Sequence, residues 1–178
     1  MKDNRHLYNY NYFHQSKNFQ THPERTKRLV EKILEYDPKS VLDVGTGLGA
    51  VVNELLNRNV IARGIDFAPI LKKIWGKNHN VIFFIQDSRN IDFPDNSFDL
   101  VFSSDFFEHI DEEDIDKIAN EMKRVGNKVI TFVADDLGGK LNRRQREFHP
   151  THKSLDWWKE KLRGIEVFSS HDYDPIKP

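Results

Sequence analysis

The sequence predicts an α/β fold: a doubly wound, mostly parallel sheet with helices on both faces. Three observations predict it. Short β-rich runs alternate with helical patterns at the spacing of βαβ units. The first β-rich run passes straight into glycines, Asp43-Val44-Gly45-Thr46-Gly47-Leu48-Gly49. Carboxylates recur where the runs end, at Asp66 and Asp87. Right-handed crossovers place helices on both faces of such a sheet, and its ligands bind beyond the carboxyl ends of the strands, where strand order switches.

Residues 1–20 stand apart, with Tyr8, Tyr10, Tyr12, Phe13 and Phe19 set among Asn, His, Gln and Lys without a helical period. They read as a cover over a site or as a surface-packed or disordered tail, and their aromatic density favours the cover. Residues 21–178 read as one domain. Thr21 and Glu24 form the pattern of a capping box, with Pro23 in the first turn. The helix that follows buries Leu29, Val30, Ile33 and Leu34 and ends near Tyr36. A strand is predicted over 41–44, a helix over 50–56, a strand over 60–65 and a helix over 69–75. Residues 81–85 are continuously apolar, as in a strand covered on both faces. A fourth strand covers 98–102. Asp111, Glu112, Glu113 and Asp114 open a helix running to Arg124, negative charge suiting the positive end of its dipole. A fifth strand covers 129–133. After a long connection, 135–153, Ser154 caps a helix ending at Gly164, and 165–168 form a last strand. Trp157 and Trp158 on that helix read as core and edge packing.

The chain has 178 residues, 38% hydrophobic and 31% charged, which suits one domain with a real core. No apolar run approaches the roughly 18 residues that cross a bilayer. Residues 1–13 lack the apolar centre of a secretory signal, so a cytoplasmic location is expected. The absence of cysteine excludes disulfides and thiolate sites. A net charge of -1 gives no global attraction to nucleic acid or anionic membrane.

Glycines at the end of a strand let the backbone turn sharply and approach a ligand. Gly45, Gly47 and Ala50 alone also satisfy a dinucleotide fingerprint. Asp66 suits the ribose hydroxyls of either a dinucleotide or an adenosyl ligand, or else a helix N-cap before Pro69. Two features separate the cofactors. Asp43 puts negative charge where a dinucleotide would bring its pyrophosphate, whereas S-adenosylmethionine brings a sulfonium and an ammonium. Asp87-Ser88 adds a third carboxylate, able to accept from an adenine amino group.

These residues resemble the class I S-adenosylmethionine-dependent methyltransferases, specifically the small methyltransferase-11-like domain, over roughly residues 25–170. The resemblance rests on 41–49, on Gly64-Ile65-Asp66, on Asp87, on Phe93-Pro94-Asp95-Asn96-Ser97-Phe98-Asp99-Leu100-Val101 and on Ser103-Ser104-Asp105-Phe106-Phe107-Glu108-His109-Ile110. It implies a Rossmann-like methyltransferase fold over 21–178 with S-adenosyl-L-methionine as cofactor. Gly45, Thr46, Gly47 and Gly49 would face its methionine portion, with Asp43 linked to the ammonium. Asp66 would hold the ribose, Phe67 would lie against the adenine, and Asp87 and the Ser88 amide would meet the adenine edge. Ser103 and Ser104 would wall the methionine arm. The expected reaction is methylation of a small-molecule acceptor, a sugar or metabolite. A catalytically silent cofactor-binding subunit, an RNA or protein methyltransferase and a nicotinamide-dependent oxidoreductase are the alternatives.

An acceptor hydroxyl or ammonium must lose a proton, which needs a base within reach. His109, His149 and His152 are the candidates. His109 also reads as a structural tie with Glu108, and His149 is the preferred base. The long connection reads as a substrate loop or lid as well as an ordinary surface loop. Its Lys140, Arg143, Arg144 and Arg146 form either a solvated face or a clamp for an anionic group on the acceptor. Asp105 and Asp135-Asp136 invite comparison with magnesium-dependent relatives, but such oxygen clusters often cap helices, and no metal is expected. The family's final antiparallel strand is not evident. Either the chain is shortened or that edge is covered by the tail or by a second copy of the chain.

Overall fold

The computed structural model describes residues 7–138 and 148–174. Among the described residues six α-helices and six strands follow in the order α1 Tyr10–Gln20, α2 Pro23–Leu34, β1 Ser40–Val44, α3 Ala50–Asn57, β2 Ile61–Asp66, α4 Leu71–Trp75, β3 Phe83–Ile85, β4 Phe98–Ser104, α5 Glu112–Val125, β5 Gly126–Val133, α6 Leu155–Lys161 and β6 Glu166–Ser169. Among the described residues no helix is long and apolar enough to cross a membrane.

The strands form one sheet in the order β3-β2-β1-β4-β5-β6, and every pairing is parallel. The chain winds outward from β1 to β3, then crosses back to lay β4 beside β1. The sheet is therefore doubly wound, as predicted, with its switch point between β1 and β4. Among the described residues it has no antiparallel strand, and β6 lies directly against β5.

Alternation along the central strands divides the core into two. Val41, Leu100 and Ile130 face α2, α3 and α4, packing with Leu29, Val30, Ile33, Val52, Leu55 and Leu71. Leu42, Val101 and Val129 face α5 and α6, packing with Ile115, Ile118, Met122 and Trp158. Each such side chain taken fully out of water contributes about 1.5–3 kcal/mol. Trp158 is completely buried, and Trp157 packs at the margin with its ring 5.0 Å from that of Trp158.

The Phe93 to Val101 motif is held by Arg124 at the end of α5. Its guanidinium donates to the carbonyls of Phe93 and Ile91 at 2.9 and 2.7 Å and to Asp95 at 2.8 Å. The Arg124 carbonyl accepts from the Asn96 backbone N–H at 2.9 Å. The motif thus fastens the start of β4 to α5.

Four elements differ from expectation. Residues 10–20 are helical, although they show no hydrophobic period. Asn9 caps α1 by accepting from the N–H groups of Asn11 and Tyr12 at 2.9 and 3.2 Å. Its inward face carries Tyr12, Phe13, Ser16 and Gln20 against a partly polar cavity, so the helical spacing is there without an apolar stripe. The Thr21–Glu24 capping box does not form: the Thr21 hydroxyl donates back to the Lys17 carbonyl at 2.8 Å, and the cap of α2 is His22, whose side chain makes no capping bond. The third strand is shorter than its apolar run, and Val81 is 63% exposed. Helix α6 stops at Lys161, and Gly164 serves instead in the turn to β6, with φ +84°. Its predicted start holds, since the Ser154 hydroxyl accepts from the Trp157 N–H at 3.3 Å.

Candidate functional site

A cavity of about 960 Å³ opens at the carboxyl ends of the strands. It is large enough for a cofactor and a small acceptor together. Asp43 near the end of β1, Asp66 at the end of β2 and Asp87 after β3 all line it, and so do Ser104 and Asp105 after β4 and Ala134 after β5. The switch in strand order sends the connections after β1 and β4 to opposite faces of the sheet at this end and creates the cleft.

The glycine turn is fixed by its backbone. The N–H groups of Gly45 and Thr46 donate to the Ile65 carbonyl at 2.9 and 3.0 Å, tying the turn to β2. Gly45 has φ +81°, and a Cβ there would lie 2.4 Å from Phe106. Gly49 has φ +78° and caps α3; its Cβ would lie 2.4 Å from the Phe83 ring. Both positions require glycine on steric grounds. From α4, the Trp75 indole donates to the Gly47 carbonyl at 3.0 Å. From α1, the Gln20 side-chain oxygen accepts from the Leu48 N–H at 3.2 Å.

The aspartates differ in surroundings. Asp43 is 5% exposed and makes no salt bridge among the described residues, and burial raises its carboxyl to about 7. Asp66 accepts from the Ala68 and Gly47 N–H groups, each at 3.0 Å. Burial raises it to about 6 against the pull of those donors. It therefore fastens the turn at Ala68 and faces the cavity, but it is not the helix N-cap, since Ile70 holds that position on α4. Asp87 is half-exposed and ion-paired with Arg89, whose hydrogen bonds hold the carboxyl below its usual range. Arg89 also reaches Asp114 on α5 at 3.4 Å.

Of the other predicted cofactor residues, Gly45, Thr46, Gly47, Phe67, Ser88 and Ser104 line the cavity. Gly49 and Ser103 do not. Gly49 packs on Phe83 as described. The Ser103 side chain is wholly buried within the sheet, its hydroxyl 2.7 Å from that of Thr131 on β5, because successive strand residues point to opposite faces.

His109 and His149 both line the cavity, with ring centroids 4.7 Å apart. His109 Nδ1 lies 2.7 Å from the Phe148 carbonyl and 3.1 Å from the Tyr8 hydroxyl. A carbonyl only accepts, so Nδ1 carries the proton and Nε2 the lone pair. Burial lowers the ring to about 4, aided by His149. Burial also lowers His149, aided by His152. His152 is instead 3.8 Å from Asp136. Lys140, Arg143, Arg144 and Arg146 lie outside the described residues.

Composition and spacing missed several lining residues. The Tyr8 ring stands 5.0 Å from Phe67, 4.9 Å from Tyr12 and 5.8 Å from Phe148. Arg25 on α2 is 5% exposed. It pairs with Asp105 and donates to Ser104 Oγ at 2.9 Å and to Asp174 at 3.2 Å. Asp105 has a left-handed backbone, φ +46°. Tyr8 and Tyr12 belong to the aromatic segment whose density favoured a cover, but nothing in it singled them out from Tyr10 or Phe19. Arg25, in the first turn of an amphipathic helix, gave no signal.

The strand-end carboxylates, two of them buried and raised, form an acceptor set that fits a cation with hydroxyl and amino groups better than a phosphate. Comparison with known proteins agrees. Residues 41–128 match the methyltransferase domain family. Ajmaline N-methyltransferase of Rauvolfia serpentina is 29% identical over 72% of this chain and 44% of its own length. Phosphoethanolamine N-methyltransferase 1 of Zea mays is 28% identical over 72% of this chain and 27% of its own. The chain thus spans less than half the length of these relatives. The fold is shared with an S-adenosylmethionine-dependent methyltransferase from Archaeoglobus fulgidus, with a TM-score of 0.65 and 19% identity over 86% of this chain and 72% of that one. The chain carries a class I S-adenosylmethionine-dependent methyltransferase domain.

Proposed function

We propose that the chain methylates a nitrogen of a small-molecule acceptor with S-adenosylmethionine. The observation that carries this reading is the union, in one cavity, of Asp43, Asp66 and Asp87 with Tyr8, His109 and His149. That similar proteins are N-methyltransferases supports nitrogen as the accepting atom.

S-adenosylmethionine supplies a methyl group already activated on a sulfonium, so alignment of the acceptor provides much of the acceleration. Asp43, with the Gly45–Gly47 turn, receives the cationic methionine end. Asp66 accepts from the ribose hydroxyls with the oxygen lone pairs its backbone bonds leave free. Phe67 lies along the adenine, and Asp87 and the Ser88 amide meet its edge. Residues 7–20 cover the cavity, Gln20 closing on the glycine turn and Tyr8 on His109. His109 and His149 line the acceptor end of the cavity. The pairing of His109 Nδ1 with Phe148 leaves Nε2 able to accept a proton.

Titration calorimetry with S-adenosylhomocysteine and with NAD tests the cofactor assignment. Binding of the former, with at least a tenfold loss in Asp66→Ala, is expected. Binding of NAD alone, or an unchanged dissociation constant in the variant, overturns it.

A further inference from the structure

Glu108 lines the cavity but is itself completely buried. One of its oxygens, Oε1, accepts from the Ala134 N–H at 3.4 Å. The other, Oε2, has no hydrogen-bond partner. Its neighbours in the same part of the cavity are differently placed. Asp105 is answered by Arg25, and Asp87 and Asp114 by Arg89. No salt bridge to Glu108 occurs among the described residues. Burial, with the charge of Asp105 beside it, holds the Glu108 carboxyl well above the usual carboxylate range. An isolated carboxylate in such a place is costly, and a cation entering the cavity offsets that cost.

The walls around it suit an organic cation. Tyr8, Tyr12 and Phe148 line the same cavity as Glu108. The Tyr12 ring stacks with that of Phe148 at 5.2 Å, and Tyr8 stands edge-on to both. Aromatic faces attract ammonium groups and also exclude water from them. Arg25 and Arg89 are the arginines lining the cavity, no lysine lines it among the described residues, and both arginines are ion-paired.

We propose that the methyl acceptor is a compact primary or secondary amine, bound as its ammonium by Glu108 Oε2 in the cavity that Tyr8, Tyr12 and Phe148 also line, and that Glu108 takes its proton. This rests on the methyltransferase reading above. In the proton step an N–H bond of the ammonium breaks and an O–H bond forms on Oε2. The nitrogen keeps the electron pair, becomes a neutral amine and is then competent as a nucleophile. Glu108 becomes a neutral carboxylic acid, the form its burial favours, and so it acts as general base with a suitably raised affinity for protons.

The experiment uses the whole chain saturated with S-adenosylhomocysteine, titrated with two matched pairs: ethanolamine against ethylene glycol, and 2-phenylethylamine against 2-phenylethanol. At least one amine is expected to bind tenfold or more tightly than its alcohol partner. Glu108→Gln is expected to erase that preference while changing the dissociation constant of S-adenosylhomocysteine less than twofold. A merely structural Glu108 would shift the thermal midpoint and leave the amine preference in place, which overturns the proposal. So does equal affinity within both pairs, or failure of both amines to bind. Should Glu108→Gln not fold, the wild-type comparison alone decides the substrate class. Failure of S-adenosylhomocysteine to bind in the first titration sinks the methyltransferase reading instead, before any amine is added.

Discussion

The Tyr8 hydroxyl lies 3.1 Å from Nδ1 of His109, a contact that joins residues 101 apart in sequence. Nδ1 is shared with the Phe148 carbonyl at 2.7 Å, so the imidazole is pinned by the segment before α1 and by the latter part of the long connection. Burial, more than the neighbouring His149, brings the ring down to about 4. The expected outcome is a neutral Nδ1–H tautomer throughout pH 5–8, read from nitrogen chemical shifts of the imidazole. Because the unfolded chain binds this proton near the ordinary pKa of about 6.5, stability rises with pH from about 4 to 6.5 on account of His109. A ring titrating at its ordinary value would contradict the geometry.

Asp43 behaves in the opposite sense. Its folded value of about 7 lies above the unfolded 3.8, so the folded protein holds the proton more tightly and loses stability as pH rises across that window. Asp43→Asn cannot ionise and escapes this penalty, roughly 4 kcal/mol at most for a change of this size. The variant is expected to melt higher than wild type at pH 8 and equally at pH 3, while binding S-adenosylmethionine at least tenfold more weakly. A lower melting point at pH 8 would contradict the assignment of burial as the cause.

The same raised carboxyls make cofactor binding a proton-releasing event. Asp43 and Asp66 titrate at about 7 and about 6 in the empty cavity. A cationic ligand favours their charged forms and lowers both. Affinity for S-adenosylmethionine is therefore expected to rise with pH from about 5 to 7 and then level off. Calorimetry at pH 6 in two buffers of different ionisation enthalpy measures the release directly. Proton uptake on binding would contradict it.

The strand-to-glycine passage, the alternation of elements and the strand-end carboxylates were legible in the sequence because each follows from local chemistry: β-branched runs, backbone freedom at Gly45 and Gly49, and carboxylates with no core to fill. The acceptor end was far less legible. The helical spacing of Tyr12, Ser16 and Gln20 faces a polar cavity, which removes the hydrophobic signal from α1. Ser103 and Ser104 are neighbours in sequence, but the pleat sends Ser103 into the sheet and leaves Ser104 at the cavity. Arg25 reaches Asp105 across 80 residues, a pairing set by topology alone.

Gly49 offers a test of the turn that is separate from the ligand. It does not line the cavity, yet it combines a left-handed backbone with close approach to Phe83, 2% exposed. The conformational cost of a side chain there is about 1–2 kcal/mol, and crowding in a packed core adds about 1–3. Gly49→Ala is expected to lose roughly 3 kcal/mol in urea unfolding. A loss under about 1 kcal/mol would show that the turn relaxes freely.

Arg25 supplies the last prediction. Its side chain is 6% exposed, against 19% for Asp105 and 25% for Asp174. The guanidinium meets Asp105 and Ser104 through one nitrogen and Asp174 through Nε, a geometry that a planar fork provides and a lysine ammonium does not. Removing it strands the Asp105 carboxylate, beside Glu108, in a largely dry setting. Breaking a buried pair from one side costs about 3–5 kcal/mol, so Arg25→Met is expected to lose about 3 kcal/mol, and Arg25→Lys to recover only part of it. Asp174→Asn should cost about 1 kcal/mol, since water reaches that partner more easily. A double-mutant cycle then orders the pairs, with Arg25–Asp105 coupling larger than Arg25–Asp174 coupling. The reverse order would mean that Arg25 serves chiefly to fasten the segment after β6, rather than to hold Asp105 at the mouth of the acceptor cavity.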